Sequence, residues 1–365
     1  MKKNLKYGRV KEKGLDPNTN QMRGLNMNAV FPLKDTIINV ADYVPNDGSR
    51  CVADDIQALI EGNPHRTLYF PDGIYVISHP IMTPADPDFS VCLDLSAYAI
   101  IKASDDWSSD EAMIRLGAIK PANDITRNGS NYYFAGGIVD GNGVANGISI
   151  DGGRETSVHD VSIKHTKIGV HIKPGCNGNS SDADIFQVNI IGNRSHDSIG
   201  VLVEGSDNSF TNMRIADVFI GVKILTGSGS IMRNVHPLYT CDYTDYENSC
   251  GFYDTIGDNW YETCYSDHFG IGFYMTKNVG YNRYDSCVSY WYSPREISHI
   301  GFASEGKFNG LVMNAKVGFR GEEAKNLVLR EGEPGGKGVF QNLIIKGEIA
   351  EDDAFWNYFQ GNILR

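Results

Sequence analysis

The chain has 365 residues, 41% of them apolar, with 33 basic and 45 acidic side chains giving a formal net charge of −12. The apolar share excludes a disordered chain, and the acidic balance argues against nucleic acid or an anionic membrane as partner, since phosphate binding needs Lys/Arg clusters. No apolar run approaches the ~18–20 residues of a membrane span, and one core rarely grows past about 250–300 residues, so the chain is either two domains or an elongated repeat.

Abundant Gly (40), Tyr (19) and Phe (16) favour strands and turns over helices. Seven Cys is an odd count with no CxxC, which argues against a disulfide framework or a zinc site; no metal or cofactor is expected. The opening MKKNLKYGRVKEKGLD carries charge with no apolar stretch after it, so it does not read as a secretory signal. The expected location is therefore the cytoplasm, unless a leader was removed or export needs none.

Residues 1–37 are polar and read as an arm or tail. Ile56, Leu59 and Ile60 follow i, i+3, i+4 spacing, so a short helix is expected near 54–61. Two short strands follow it, TLYF (67–70) and IYVIS (74–78), around a Pro-Asp-Gly turn. A helix just ahead of strands suits a cap over the open end of a strand stack. Asp140-Gly-Asn-Gly reads as a structural turn.

A repeat then takes over. Gly, then Val, Ile or Phe, any residue, then usually an apolar one recurs as GISI (147), GVHI (169), GVLV (200), GVKI (221), GFYD (251), GFYM (272) and GFAS (301), at intervals of 22, 31, 21, 30, 21 and 29 residues. A second ladder lies between: VHDVSI (158), IFQVNI (185), FTNMRI (210), MRNVHP (232), YETCYS (261) and YDSCVS (284). Its fourth position, Val161, Val188, Met213, Val235, Cys264 and Cys287, is apolar. Its third, Asp160, Gln187, Asn212, Asn234, Thr263 and Ser286, is small or polar and fits a tight bend. No rung buries its apolar face alone, so rungs must stack about 4.8 Å apart in parallel sheets. Val170, Val201, Val222, Phe252, Phe273 and Phe302 are expected in one buried column, with Cys264 and Cys287 as reduced interior neighbours. The solenoid is expected over 38–320, with a last rung and cap in 321–365.

VADYVPNDGSRCVADDIQALIE (40–61) followed by TLYFPDGIYVI (67–77) resembles the entry segment of the pectate-lyase-like right-handed parallel β-helix proteins. The matching elements are Asp47-Gly48, Asp54-Asp55, the helix after them, and Tyr69-Phe70-Pro71 with Gly73 and Tyr75. The superfamily includes polygalacturonases, polysaccharide lyases, fructotransferases and tailspike depolymerases. The resemblance implies an all-β, right-handed parallel β-helix that binds a glycan along the outer face of one sheet, and a homo-oligomer, in many members a trimer. The Asn-Thr-Asp, Asp-Asp and Gly-His-Gly signatures of polygalacturonases do not occur at the corresponding rungs.

Composition concentrates at 239–292, where 16 of 54 residues are aromatic and eight are carboxylates against two bases. Sugar rings stack on aromatic faces, and glycosidic cleavage commonly uses two carboxyl groups. Two rung extensions, 241–250 and 290–299, fall beside this stretch, and long loops on a rigid scaffold tend to carry function. The catalytic candidates are Asp245, Glu247 and Asp267, with His268 as a proton shuttle or hydrogen-bond partner. Tyr243, Tyr253, Tyr274, Trp260 and Trp291 are the candidates for substrate stacking. Asp242 and Glu262 are in reserve, then His196, Asp197 and Glu204. Stacked tyrosines that merely hold the coil together, with the acids as solvated turns, are the competing reading. The N-terminal rungs offer only isolated polar residues. A carbohydrate substrate is expected, with glycoside hydrolysis favoured over β-elimination because an acidic surface repels a polyuronate. Intramolecular glycosyl or fructosyl transfer would use the same carboxylates. A non-catalytic glycan-binding or receptor-binding spike is the rival, and a structural solenoid the other.

Overall fold

The computed structural model describes residues 37–119, 133–174, 180–241, 245–277, 280–292, 299–320, 326–350 and 353–364. Two parallel sheets, one of twenty strands and one of ten, run through them, and the chain winds as a right-handed parallel β-helix. Each turn contributes three walls. Walls 1 and 2 belong to the larger sheet and meet at a sharp bend; wall 3 is the smaller sheet. One turn passes through Asp184–Phe186 (wall 1), Asn189–Gly192 (wall 2) and Ile199–Val203 (wall 3). The next takes Ser209–Ala216 across walls 1 and 2, then Ile220–Ile224.

The Gly-Val/Phe repeats are the wall 3 strands. Val170, Val201, Val222, Phe252, Phe273 and Phe302 pair in parallel register, each at most 2% exposed, as the spacing required. From Phe252 onward the column is aromatic, with ring centroids 4.8 and 5.0 Å apart, close to the rung spacing. The repeat's glycine answers a close approach. A Cβ on Gly169 would lie 2.6 Å from the Gly200 carbonyl oxygen, and one on Gly272 equally near that of Gly301.

The bend between walls 1 and 2 is a column of left-handed residues. Asp160, Gln187, Asn212, Asn234, Thr263, Ser286, Asn314 and Asn342 all have φ between 51° and 55°. Asn and Asp tolerate this region better than most side chains, which explains the small polar third position. Asn234 also donates to the Asn212 side chain at 2.8 Å, rung to rung.

Cys264 and Cys287 are fully buried free thiols, each donating to a carbonyl of the preceding turn, Met232 and Tyr261, at 3.3 Å. Tyr261 and Tyr284 stack 4.8 Å apart inside. The interior also holds Asp254, 1% exposed. It accepts from Asn259, Asn282 and the Tyr261 hydroxyl at 2.8–3.0 Å and from the backbone N–H groups of Ile256 and Gly257. Full satisfaction of this kind is what permits a charge in a core.

The helix spans Ala53–Gly62, burying Ile56 and Ile60 with Leu59 partly buried against the core. Asp54 and Asp55 sit in its first turn, where the helix dipole favours negative charge. Gln57 accepts from the N–H of Met82 at 2.8 Å and donates to its carbonyl at 3.1 Å. Met82 lies in the edge strand of wall 3, so one amide side chain replaces the missing neighbouring strand. Asp140-Gly-Asn-Gly is a turn, with Asn142 at φ 54° and its N–H on Asp140 at 3.0 Å. Among the described residues no helix is long and apolar enough to cross a membrane.

Candidate functional site

Side chains at the third position of each wall 3 repeat face outward. Strand register lines up Arg115, Ser149, His171, Leu202, Lys223, Tyr253, Tyr274, Ala303 and Arg330 in one file. Tyr253 and Tyr274 stand 4.9 Å apart, tilted by 41°. Lys223 Nζ lies 5.3 Å from the Tyr253 ring centroid, within cation–π range. Tyr274 Oη donates to Glu305 at 2.5 Å. Burial, then the Glu305 carboxylate, pushes the Tyr274 phenol above its ordinary range. The two tyrosines thus form a fixed, half-exposed shelf on wall 3.

The first rungs of the same face differ from expectation. Asp151, 8% exposed, is held by Arg115 and by the Ser149 hydroxyl, with Lys173 Nζ at 3.6 Å. Lys173 pairs with Glu111, and His171 Nε2 with Glu204 at 2.7 Å. These residues are not isolated; stacking gathers them into a half-buried network of both signs. The signal was in the repeat, since GISID, GVHIK and GVLVE place polar residues at the third or fifth position, two residues apart on one strand face.

At the corner from wall 2 to wall 3, Asp267 ends the wall 2 strand Tyr265–Asp267 with its side chain outward. His268 Nδ1 lies 2.5 Å from one carboxylate oxygen, and His236 Nε2, from the preceding rung, 3.5 Å from the other. The second contact is long, and His236 Nε2 has no other partner. Burial pushes the Asp267 carboxyl up, but the two imidazoles outweigh it and hold the group at about 2, so it is ionised at neutral pH. Tyr265 stacks on His236 at 4.4 Å and 9°; burial and the nearby carboxylate push its phenol up to about 12. Tyr290, the next rung's partner of Asp267, meets the His268 ring edge-on at 5.7 Å. His268 has φ 61°, but His165 and Asp217, each one residue past the wall 2 column that leads to Asp267, also have positive φ, so this backbone form belongs to the corner.

The fold therefore joins Asp267 to His268 and adds His236, which residue types alone did not single out. Among the described residues no other expected acid bonds to that pair. Asp245 is exposed, with His196 Nδ1 3.4 Å away. Glu247 accepts from Tyr246 Oη at 3.3 Å; its backbone runs beside Gly270, where an added Cβ would come within 2.8 Å of Glu247 Cα. Trp291 is 1% exposed and stacks on Tyr246 and His299 at 5.1 and 5.9 Å, so it is core and faces no substrate. Trp260 is 48% exposed but stands on wall 1, in register with Ile231 and Arg283, away from the tyrosine shelf. Glu262 is bound by Arg233, and Asp197 by Lys167. Tyr243 and Asp242 lie outside the described residues, as do 293–298 of the second rung extension. Among the described residues no three His, Cys, Asp or Glu side chains converge as metal ligands.

No protein-family model and no curated protein matches the chain. Solved structures do. A mutant tailspike protein of E. coli bacteriophage HK620, in complex with a pentasaccharide, is 14% identical with a TM-score of 0.60, covering 87% of this chain and 68% of that one. The Agl-KA catalytic domain is 11% identical with a TM-score of 0.59, covering 90% and 68%. Geobacillus virus E2 ORF18 is 13% identical with a TM-score of 0.47, and this chain spans 62% of its length. At such identities the similarity is one of fold: the chain is a right-handed parallel β-helix.

Proposed function

We propose that the protein is a carbohydrate-active enzyme that cleaves a glycosidic bond, with hydrolysis favoured, at the corner between walls 2 and 3. The observation that carries this reading is the Asp267 carboxylate fixed between His268 and His236, on the rung that also supplies Tyr274. An ionised carboxylate on Nδ1 fixes the tautomer of His268 and leaves Nε2 as the acceptor. His268 Nε2 then takes a proton from the attacking water, and a carboxyl group gives one to the leaving oxygen. Glu247, whose backbone lies along the same corner, is our candidate for that acid. Tyr253 and Tyr274 hold a sugar ring beside it. A lyase or an intramolecular glycosyl transferase would use the same base on a different proton.

The test is a soluble polysaccharide panel scored for new reducing ends and for unsaturated products. Asp267→Asn and His268→Gln should each lower turnover about a hundredfold or more, the usual weight of general acid–base help, and Tyr274→Ala should act mainly on KM. Binding without cleavage by the unmodified protein would favour the non-catalytic reading, which the tailspike-like fold keeps in view. Full activity in both the Asp267 and His268 variants would move the chemistry to the Asp151–Glu204 network.

A further inference from the structure

The corner and the tyrosine shelf leave another concave surface unused. Along the bend between walls 1 and 2 runs a groove of about 590 Å3, lined on three rungs by Asp160 and Ser162, by Gln187 and Asn189, and by Asn212 and Arg214. We propose that this groove is a second carbohydrate-binding site, which takes a neutral, hydroxyl-rich stretch of glycan.

Three observations carry it. First, hydrogen-bonding capacity is left over. Asn212 is engaged by Asn234 in the ladder, but the side-chain amides of Gln187 and Asn189, one rung away and exposed, make no hydrogen bond among the described residues. Amides that both donate and accept match sugar hydroxyls, which do the same. Second, Arg214 is already oriented: its Nη1 donates to the Met213 carbonyl at 3.0 Å and the Asn234 carbonyl at 3.4 Å, which leaves its other N–H groups for a ligand. Third, a flat ring stands on wall 1 one residue before the groove's lining. Phe186, the residue before Gln187, stacks on His159 at 4.5 Å and 10°. The next residue in its column, Thr211, is small, so the aromatic stack ends there with Phe186 half-buried. The lining holds one carboxylate and one guanidinium, and the carboxylate, Asp160, already accepts from His159 Nδ1 at 2.8 Å. That balance selects a neutral chain over a polyanion.

This inference shares only the ligand class with the cleavage reading, and its site and variants are separate. The test is affinity electrophoresis through gels containing laminarin, dextran, soluble starch, galactomannan or, as the anionic control, polygalacturonate. It uses the full chain, Tyr274→Ala, Asn189→Ala/Arg214→Ala, and the triple variant. Both groove positions are exposed strand residues, and circular dichroism checks that each variant folds. At least one neutral polymer should retard the unmodified protein. Tyr274→Ala should keep part of that retardation, and adding Asn189→Ala/Arg214→Ala should weaken the remainder tenfold or more, as expected for two lost hydrogen bonds of which one is charged. The proposal is overturned if no neutral polymer retards the protein, if only polygalacturonate does, if Tyr274→Ala abolishes all retardation, or if the double substitution changes nothing.

Discussion

His299 sets a pH dependence that can be worked out atom by atom. It is fully buried, with Nδ1 2.7 Å from the Phe269 carbonyl oxygen and Nε2 2.9 Å from Ser289 Oγ. A carbonyl only accepts, so Nδ1 carries the proton and Nε2 accepts from the serine hydroxyl. A second proton would put an imidazolium in the core between Trp291 and Phe319. Burial accordingly pushes the group from its ordinary 6.5 down to about 3. The sign follows by linkage: below pH 6.5 the unfolded chain takes up a proton that the folded one refuses, so stability falls as pH drops and levels off only near 3. At 1.36 kcal/mol per pH unit, going from neutral pH to pH 5 removes about 2 kcal/mol through this one residue. Urea unfolding at pH 7 and pH 5, on the unmodified protein and on His299→Gln, isolates the effect, since every other titrating group is common to both. Gln can still offer an N–H and an oxygen, so it should cost stability at pH 7 but lose about 2 kcal/mol less on acidification. Equal acid-induced losses in the two proteins would refute the reasoning.

Two further outcomes follow from packing. Thr263, φ 51°, is a β-branched residue in a column otherwise rich in Asn; Thr263→Asn should relieve strain and raise the unfolding free energy by about 1 kcal/mol in calorimetry, and a lower melting temperature would contradict this. Trp291→Ala should cost about 3–5 kcal/mol as a core cavity and lower kcat through His268, whereas an unchanged melting temperature with a raised KM would restore Trp291 as a substrate contact.

The fold was legible because the solenoid writes its geometry into spacing. The glycine of each Gly-Val/Phe repeat records a carbonyl of the next rung, the third residue of the second ladder records a left-handed φ, and the column of Val170 to Phe302 follows from period 2. The candidate site was legible only in part. Asp267 and His268 are neighbours in sequence and were found together, but His236 reaches the carboxylate from a rung about thirty residues earlier, and only register shows that. The aromatic excess at 239–292 misled in one respect. Tyr239, Tyr246, Phe252, Tyr261, Phe269, Phe273, Tyr284 and Trp291 are all buried, so much of it is core, and composition cannot separate a stacked interior ring from a stacked exterior one. The Asp151 network was missed for the opposite reason: its rung-to-rung contacts join residues 22–62 apart along the chain, which meet only because rungs stack.

The buried rings and the half-buried Asp267–His268 pair are parts of one construction. Earlier rungs fill the inside of wall 2, opposite the repeat glycine, with Ile163, Ile190 and Ile215; at the rung of Asp267 and His268 and at the next this place is taken by Ser266 and Ser289. Those small residues leave room at the corner for Tyr246, Phe269, Trp291 and His299, all at most 4% exposed. Trp291 is the shared post: Tyr246 stacks on one neighbouring segment of it at 5.1 Å, His299 on another at 5.9 Å, and His268 leans on it at 5.7 Å. Tyr246 lies within the first rung extension and His299 ends the second. The same indole thus anchors both loops and fixes the outer imidazole. A loop corner of a solenoid is ordinarily its least rigid part. Exchanging aliphatic rungs for an aromatic nucleus just there is what holds Asp267 and His268 at hydrogen-bond distance, the condition for a pair of groups to move a proton in a fixed direction.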